Sequence, residues 1–370
     1  MEAVRGHEPG LLPEAVAGAW VCLRPCAPAR CIVERYSRQV RVTGVGPVGQ
    51  QRLRAAKVLV VGCGALGTHC ADSLARAGVG ELWLVDRDVV EWSNLQRQVL
   101  FTEEDAAAGT PKAIAAAARL SGINHDCRTT PFVADCTADF LAQLPQVPDL
   151  VLDGTDNFAT RYLLNDWCAR QGIPWIYGGA VGTEGAAMVV TSAGPCLRCL
   201  WPDPPQQADV GNCETAGILA PAIAAVSAFQ VAEALKILIG TAAPTRGVYT
   251  CDVWRGSYAV LQLAAGPSDS CPVCRRESFP SLDAPPGSAV VLCGRDAVQV
   301  DPPRRTDVDL DALARRLQDS VGDLARTPHL LRFSADGCRF SVFPGGRALL
   351  FGVRDPLRAR ALYDRWIGIP

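Results

Sequence analysis

The sequence has very little net charge and lacks any recognisable segment for export or membrane insertion. Lysine and arginine together number 36 and aspartate and glutamate 38, which gives a formal net charge of −2. Such a balanced chain has no general electrostatic attraction to nucleic acid or to acidic membranes. No apolar run is expected to reach the length that spans a bilayer, and the N-terminus shows neither a basic start nor a long apolar core. We therefore expect a soluble, cytoplasmic protein that binds neither nucleic acid nor a membrane.

The sequence does have enough apolar material for a large core and more length than one average domain needs. Of its 370 residues, 49% are hydrophobic, so one large and one small domain are expected. We predict a loosely ordered extension over residues 1–33 and a main domain over 34–277. A linker rich in proline and serine, 278–287, then leads to a small α+β module over 288–370.

A stretch near the start of the main domain has the pattern of a nucleotide-binding unit. Lys57–Val61 is a short apolar run typical of a buried parallel strand. It ends in a turn whose glycines suit close approach of the backbone to phosphate and close packing of the next helix: Gly62, Gly64 and Gly67. A second strand ends at Asp86, about twenty residues further on, where a Rossmann unit has its ribose-binding acid. The alternative is an ordinary strand–turn–helix that holds no ligand.

The loop that follows Asp86 is unusually polar and indicates phosphate binding. Asp88, Asn94 and Arg97 are close together in a segment that neither a core nor a simple turn requires. An arginine suits phosphate because its planar fork can bind two phosphate oxygens at once. Lys112 follows a proline at the start of an alanine-rich helix, where the helix dipole disfavours a cation unless an anion is close. A phosphate ligand explains that placement, and a solvent-facing lysine is the alternative.

A further acidic candidate, Asp156, follows the apolar strand predicted over Asp149–Leu152. In an open parallel sheet the ligand crevice lies at the carboxyl ends of the strands, so Asp156 could hold a metal ion or orient phosphates. The structural alternative is that Asp156 or Asn157 caps the next helix. Both roles can be filled, with one residue serving each.

Two Cys-x-x-Cys pairs lie far apart in the sequence, Cys196 with Cys199 and Cys271 with Cys274. Each pair can bind two corners of a tetrahedral metal site, and four thiolates make a closed structural zinc site. We predict a zinc clip that ties two loops of one domain together. A redox disulfide is the alternative, disfavoured because two pairs are present and neither opens a thioredoxin-like unit.

Another cysteine, Cys213, lies between the two pairs and just ahead of a predicted apolar helix. A helix dipole can stabilise the thiolate of a cysteine near its N-terminus, so Cys213 is a candidate nucleophile. The alternative is an inert loop cysteine. Six further cysteines have no partner at metal-binding spacing and are expected to be small buried hydrophobes: Cys63, Cys70, Cys127, Cys136, Cys168 and Cys251.

In order along the chain, these motifs resemble those of the MoeB/ThiF/HesA family, the bacterial relatives of ubiquitin-activating enzymes, over about residues 34–277. The resemblance rests on Arg35-Tyr36-Ser37-Arg38-Gln39, the glycine turn, Asp86, Asn94-Leu95-Gln96-Arg97-Gln98, Pro111-Lys112, Gly154-Thr155-Asp156-Asn157 and the two cysteine pairs. It implies a Rossmann-like α/β fold, with a mixed, mostly parallel sheet, helices on both faces and a homodimeric assembly.

The resemblance also implies an activity. Members of the family use ATP and magnesium to adenylate the C-terminal glycine carboxylate of a ubiquitin-like sulfur-carrier protein that ends in Gly-Gly, and they release pyrophosphate. The carriers serve thiamine or molybdenum-cofactor biosynthesis. A cysteine desulfurase or another sulfur donor would be a further partner. No general base is needed, because a carboxylate is already ionised at neutral pH, and the motifs contain no histidine.

The matching positions that would bind ATP and magnesium are Gly62, Gly64, Gly67, Asp86, Asp88, Asn94, Arg97, Lys112 and Asp156. Among them, Gly64 and Asp86 would hold the adenosine, and Asp156 would hold the magnesium. The phosphates would be held by Asn94, Arg97 and Lys112.

The resemblance gives roles to residues outside the nucleotide motifs as well. Arg38 matches the arginine that reaches into the partner subunit's site, and the two cysteine pairs match the zinc ligands. Cys213 is similar to the family cysteine that, in some members, bonds to the carrier or to sulfur. The expected catalytic residues are thus Arg38, Arg97, Lys112, Asp156 and Cys213.

Two other functions share some of these features. An NAD-dependent oxidoreductase could use the same Rossmann unit, but the polar loop with Arg97, together with Lys112 and the lack of an evident hydride-transfer acid, argues against it. A non-catalytic scaffold held by the zinc clip is disfavoured because the family's catalytic positions are present. The C-terminal module lacks a rhodanese-like active loop and any catalytic cluster, so we expect it to dock a carrier or another partner.

Overall fold

The computed structural model describes two β-sheets with helices packed on them. The residues it describes are 34–204, 216–263, 266–283, 289–291, 297–300, 302 and 308–368. The strands of the first sheet are β1 Lys57–Val61, β2 Glu81–Val85, β3 Arg128–Phe132, β4 Leu150–Asp153, β5 Trp175–Val181, β6 Glu184–Val190, β7 Val248–Asp252 and β8 Ser257–Leu261. Their order across the sheet is β3-β2-β1-β4-β5-β6-β7-β8.

This first sheet is mixed. In the order across the sheet, the five strands β3, β2, β1, β4 and β5 run parallel to one another. The pairs β5–β6, β6–β7 and β7–β8 are antiparallel. In β1 the side chains alternate between two cores, with Val58 and Val60 on one face and Leu59 and Val61 on the other. Because both faces are buried, the strand reads as a continuous apolar run. The predicted Rossmann-like fold with a mixed, mostly parallel sheet is confirmed.

Helices cover both faces of the first sheet. In chain order they are α1 Gly46–Ala55, α2 Ala65–Ala77, α3 Glu103–Ala108, α4 Lys112–Ile123, α5 Ala138–Ala142, α6 Phe158–Gln171, α7 Leu197–Leu200, α8 Ala220–Ile239, α9 Pro272–Arg276 and α10 Pro280–Asp283. Helices α1, α2, α4 and α8 contribute to one core, and α5, α6 and α7 contribute to the core on the opposite face. Two short 3₁₀ helices, Gln39–Arg41 and Trp92–Asn94, complete this part.

Helix α8 is long and apolar enough to cross a membrane, judged by length and composition alone, so the expectation that no apolar run reaches that length was wrong. Half of its apolar window is buried inside the protein, where it packs on α2, β5 and β6. Two charged residues, Glu233 and Lys236, interrupt the apolar run in the sequence, and they pair with each other at 2.6 Å. A helix that is apolar all round because it fills a protein core meets the same two criteria.

The second sheet lies at the C-terminus and is antiparallel throughout. Its strands are β9 Ala289–Val291, β10 Ala297–Val300, β11 Gly322–Arg326, β12 Leu331–Ala335, β13 Cys338–Val342 and β14 Ala348–Phe351, in the order β11-β12-β13-β14-β10-β9. Helices α11 Leu310–Leu317 and α12 Pro356–Trp366 share one core with this sheet. The predicted small α+β unit at the C-terminus is confirmed as a fold element.

Candidate functional site

A cavity of about 970 Å³ lies at the carboxyl ends of β1, β2 and β4, which is the expected place for a ligand in a parallel sheet. Its volume is in the range of small-molecule pockets. Two of the predicted nucleotide-binding residues, Gly67 and Asn94, lie behind its lining. The others are part of the lining: Gly62, Gly64, Asp86, Asp88, Arg97, Lys112 and Asp156.

The glycine turn brings the ends of β1 and β4 into close contact under the cavity. Gly62 has a positive φ of 86°, and a Cβ atom there would lie 2.7 Å from the carbonyl oxygen of Gly154. A Cβ atom at Gly67 would collide with the carbonyl oxygen of Gly62. Helix α2 begins directly after Gly64, so its first N–H groups lie at the cavity, and such free N–H groups bind anions. The turn is therefore suited to phosphate.

The Asp86 carboxylate is fixed by two backbone donors. Its Oδ2 accepts the N–H of Cys63 at 2.7 Å, and its Oδ1 accepts the N–H of Asp88 at 2.7 Å. Burial raises the pKa of the Asp86 carboxyl, and the Lys112 ammonium acts in the opposite direction. Each carboxylate oxygen can accept a second hydrogen bond, so Asp86 can still receive ribose hydroxyls from the cavity side.

Lys112 is buried at the start of α4, with 3% of its surface exposed. Its Nζ lies 3.2 Å from Oδ2 of Asp88, and its backbone N–H donates to the Asp88 carbonyl oxygen at 2.9 Å. The solvent-facing alternative is therefore wrong. The lysine joins helix α4 to the loop after β2, and its ammonium is held at the cavity wall.

The loop after β2 presents Arg97 to the cavity, where its Nη1 also donates to the carbonyl oxygen of Ser93 at 2.7 Å. Asn94 is buried inside the same loop, and its Oδ1 accepts the N–H of Glu91 at 3.1 Å. Asn94 thus shapes the 3₁₀ turn that precedes Arg97. Its expected contact with phosphate stays a prediction.

Asp156 and Asn157 divide the two roles that the sequence left open. The Oδ1 atom of Asn157 accepts the N–H of Thr160 at 2.8 Å and so caps helix α6. Asp156 does not cap this helix. It is exposed at the cavity wall, where its carboxylate is accessible to a ligand or a metal ion.

The loop that carries Asp156 rests on a buried ion pair that the sequence analysis missed. Arg161 Nε lies 3.1 Å from Oδ2 of Asp153, and both side chains are buried. The guanidinium also donates to the carbonyl oxygen of Thr155 at 2.9 Å. Burial raises the pKa of the Asp153 carboxyl, and Arg161 acts against that rise. The sequence signal for this pair was Asp153 at the end of an apolar strand. A carboxylate that is buried at such a position needs a cationic partner.

A second missed ion pair lies in the opposite wall, between the loops that follow β2 and β3. Arg87 Nη1 is 2.9 Å from Oδ2 of Asp135, and both residues line the cavity. Burial acts to lower the pKa of the Arg87 guanidinium, but the neighbouring Asp135 and Asp88 carboxylates outweigh it and raise the pKa. In sequence the two partners are 48 residues apart, so no local pattern joins them.

The four paired cysteines meet in one cluster, with their sulfur atoms all within 4.8 Å of one another. The Sγ–Sγ distances are 3.8 Å for Cys196 and Cys199, 3.6 Å for Cys196 and Cys271, and 3.8 Å for Cys199 and Cys274. A tetrahedral zinc with Zn–S bonds of about 2.3 Å separates its sulfurs by about 3.8 Å. The four are free thiols in the structure, and their spacing fits the predicted zinc clip.

The structure assigns no role to two of the predicted catalytic residues. Arg38 is exposed beside the 3₁₀ helix Gln39–Arg41 and is not part of the cavity lining of its own chain. Cys213 lies outside the described residues. Their roles stay predictions.

Comparison with known proteins identifies the family of this chain. The chain matches the ThiF family over residues 36–273. It is 41% identical over 338 residues to the sulfur carrier protein ThiS adenylyltransferase of Bacillus subtilis (strain 168), with 90% of this chain and 99% of that protein covered. It is 40% identical over 242 residues to the protein of the same name from Escherichia coli (strain K12), with 65% and 94% covered.

A solved structure of E. coli MccB with ATP has a TM-score of 0.57 and 25% sequence identity, over 65% of this chain and 74% of MccB. The Bacillus match covers so much of this chain that it continues into the C-terminal sheet, whereas the family match ends at residue 273. The family match spans more than half of the chain and contains the glycine turn, the loop after β2 and three of the four clustered cysteines. The chain therefore belongs to the ThiF family.

Proposed function

We propose that this protein adenylates the C-terminal glycine carboxylate of a ubiquitin-like sulfur-carrier protein with ATP and releases pyrophosphate, in sulfur transfer for thiamine or molybdenum-cofactor synthesis. The observation that carries the proposal is the cavity. Its lining combines a glycine turn suited to phosphate, the fixed carboxylate of Asp86 and the cations Arg97 and Lys112. Relatives that carry the name sulfur carrier protein ThiS adenylyltransferase support the same reaction.

The reaction requires mainly that the carboxylate and ATP are aligned and that positive charge lies near the phosphates. The carrier carboxylate is ionised at neutral pH and attacks the α-phosphorus of ATP, while the bond from that phosphorus to the pyrophosphate oxygen breaks. Negative charge is then spread over phosphate oxygens, and fixed cations stabilise it. Arg97 and Lys112 provide such cations at the cavity wall. Asp88 fixes the Lys112 ammonium, so no reorganisation is needed during the reaction.

Asp156 is the residue that we propose to hold magnesium. Carboxylate oxygen is the ligand type that this ion prefers, and a magnesium ion bound by one or two carboxylates usually keeps phosphates and waters as its other ligands. When bound, the ion neutralises charge on the phosphates. The chain's own contribution is to fix the loop: Asn157 caps α6 on one side, and Arg161 holds the backbone of Thr155 on the other.

We also propose that the cysteine cluster holds one structural zinc ion. Support comes from the donor set of four thiols and from their spacing. A closed four-thiolate site leaves no open position for substrate, so its role would be to fix the fold of two distant loops.

Further proposals complete the assignment. The chain acts as a cytoplasmic homodimer in which Arg38 enters the partner's site, with Cys213 as the residue that bonds to the carrier or to sulfur. A cysteine desulfurase or another donor supplies the sulfur. The predicted boundaries, 34–277 for the adenylating domain and 288–370 for the C-terminal module, are kept as part of this proposal.

The test is ATP–pyrophosphate exchange with purified protein and a panel of carrier proteins that end in Gly-Gly. We expect exchange with one carrier, and a loss of about 100-fold or more in Arg97→Ala and in Asp156→Ala. The matched control is Arg119→Ala, an exposed arginine on the same helix as Lys112, which should keep wild-type exchange. Full exchange in both cavity variants would overturn the site assignment, and tight NADH binding without ATP binding would favour an oxidoreductase instead.

A further inference from the structure

The second sheet contacts the loop after β2 through an apolar surface. Val89, from that loop, is buried in one cluster with Leu330, Phe343 and Leu349 of the C-terminal part. These three side chains belong to a different cluster from the core that the second sheet shares with α11 and α12. The second sheet therefore has buried side chains on both faces, in one cluster with its own helices and in another with Val89 of the loop after β2.

Polar contacts at the same interface reach the residues that line the cavity. Arg347 Nη2 donates to the carbonyl oxygen of Arg87 at 2.6 Å, and its guanidinium stacks over the ring of Phe343 at 3.9 Å from the centroid. Gln299 Nε2 donates to Oδ2 of Asp135 at 3.2 Å. Arg347 is 9% exposed and Gln299 is 1% exposed, so both donors are buried, while the acceptor residues Arg87 and Asp135 are partly exposed.

Together these bonds hold Arg87 at two points. Arg347 fixes its backbone carbonyl, and Asp135, itself held by Gln299, fixes its guanidinium. Arg87 lies between Asp86 and Asp88 in the sequence, and Asp88 in turn pairs with Lys112. A displacement of the Arg87 backbone would therefore move the ribose-binding acid and the buried lysine together. Small errors of position in such groups are costly, because binding and catalysis depend on prior alignment.

The second sheet makes a third contact beyond helix α3, between Arg332 and Gly109. Gly109, the left-handed C-cap of α3, lies against the guanidinium of Arg332, which would have to move to admit a Cβ atom. Burial lowers the pKa of that guanidinium, and Glu91 in the loop after β2 acts to raise it. The second sheet thus touches both the beginning and the end of the segment that carries the nucleotide-binding side chains.

We propose that the C-terminal sheet is the outer support of the nucleotide site, and that Arg347 and Gln299 are positioning residues for ATP through Arg87 and Asp135. This inference rests on the proposed use of ATP, but it does not depend on the identity of the carrier. The expected docking of a carrier or another partner by the C-terminal module stays a prediction beside this role.

The test compares variants that remove these donors with a variant that damages the same sheet elsewhere. Arg347→Met and Gln299→Leu remove a donor at similar volume, and Arg347→Lys keeps the positive charge. The matched control is Phe340→Leu, since Phe340 is buried on the other face and stacks on Phe333 at 4.6 Å. For each full-length variant, the Kd for ATP is measured by calorimetry without carrier, the KM values for ATP and carrier by pyrophosphate exchange, and Tm by thermal unfolding.

We expect Arg347→Met and Gln299→Leu to weaken ATP binding by about tenfold, as follows if the loop keeps its binding position in only about a tenth of the molecules. The Kd of Arg347→Lys should lie between these values and the wild type. The KM for the carrier should stay within about twofold, because only the nucleotide loop is displaced. Phe340→Leu should lower Tm at least as much as Arg347→Met and Gln299→Leu do, while leaving the Kd for ATP unchanged.

Equal Kd values for ATP in Arg347→Met, Gln299→Leu and the wild type would overturn the inference. So would a Phe340→Leu variant whose ATP affinity falls in step with its Tm, because the effect would then be general destabilisation. If the wild type binds ATP but shows no exchange with any carrier, the proposed function fails while the Kd comparison still decides the role of the sheet. A wild type that does not bind ATP contradicts both proposals.

Discussion

The buried pair between Arg161 and Asp153 should stabilise the fold far more than an exposed pair of similar length. Arg161→Met removes the guanidinium that lies 3.1 Å from the Asp153 carboxylate, where the aspartate is fully buried. Breaking a buried pair leaves an uncompensated charge and costs about 3–5 kcal/mol. An exposed pair at a similar distance, Arg76 with Asp72 at 2.9 Å, contributes only about 0–1 kcal/mol. The contrast between the two variants therefore measures burial rather than distance.

The assay is urea unfolding of both variants, followed by tryptophan fluorescence. At about pH 7.5 we expect Arg161→Met to lose about 3–5 kcal/mol of unfolding free energy, and Arg76→Met to lose less than about 1 kcal/mol. The double variant Asp153→Asn/Arg161→Met should recover a large part of the loss, since an amide carries no charge to strand. A double variant that is less stable than Arg161→Met would refute the argument from buried charge.

The same variant has a pH dependence with a defined sign. Burial already raises the pKa of Asp153, and loss of Arg161 raises it further, so the folded state binds a proton more readily than the unfolded chain. The stabilisation that follows is complete below the ordinary carboxyl pKa and is lost as the pH rises through the folded pKa. Lowering the pH from about 7.5 to about 5.5 should therefore narrow the difference between Arg161→Met and the wild type. A difference that widens over that interval would contradict the assignment.

The remaining predictions address the turn, the metal and the dimer. Gly62→Ala should weaken ATP binding and cost about 1–3 kcal/mol of stability, because φ is 86° there and the new Cβ would meet the Gly154 carbonyl; an unchanged protein by calorimetry and unfolding would refute this. Protein purified without added zinc should contain about one ion per chain by metal analysis, and Cys271→Ser should lose it; a metal-free wild type with a Cys196–Cys199 disulfide would favour redox chemistry. Inactive Arg38→Ala and Asp156→Ala chains, mixed and allowed to exchange subunits, should regain pyrophosphate exchange if the arginine acts in the partner's site, and no recovery would place it elsewhere.

The strands that line the site could be predicted from the sequence, and one edge strand could not. The predicted run Lys57–Val61 coincides with β1, and the second strand, predicted to end at Asp86, is β2. Strands buried on both faces are apolar throughout, which makes them recognisable in the sequence. Strand β3 was missed, since Arg128–Phe132 contains Pro131 and two threonines. It lies at the edge of the sheet, where a proline is tolerated.

The residue types of the site were predictable because its motifs are contiguous in the chain. Its supporting contacts were not, because they join distant segments: Gln299 and Asp135 are 164 residues apart, and Arg347 and Arg87 are 260 apart. The sequence of the C-terminal module shows no catalytic cluster of its own. It contributes single residues to a site built elsewhere in the chain, and a search for local clusters cannot find such residues.

Helix α6 has a consequence for how cysteine variants should be interpreted. It begins beside Asp156, and two turns later Asn165 accepts the N–H of Leu197 at 2.8 Å while Asp166 receives two bonds from Arg198. The end of α6 beside Asp156 and the part beside the cysteine cluster are thus separated by about 12–15 Å along one helix. If the cysteines hold the proposed zinc ion, its loss would shift α6 and with it the loop that carries Asp156. A variant of one of these four cysteines can therefore abolish adenylation even if none of the four reacts, and activity alone cannot assign them a chemical role.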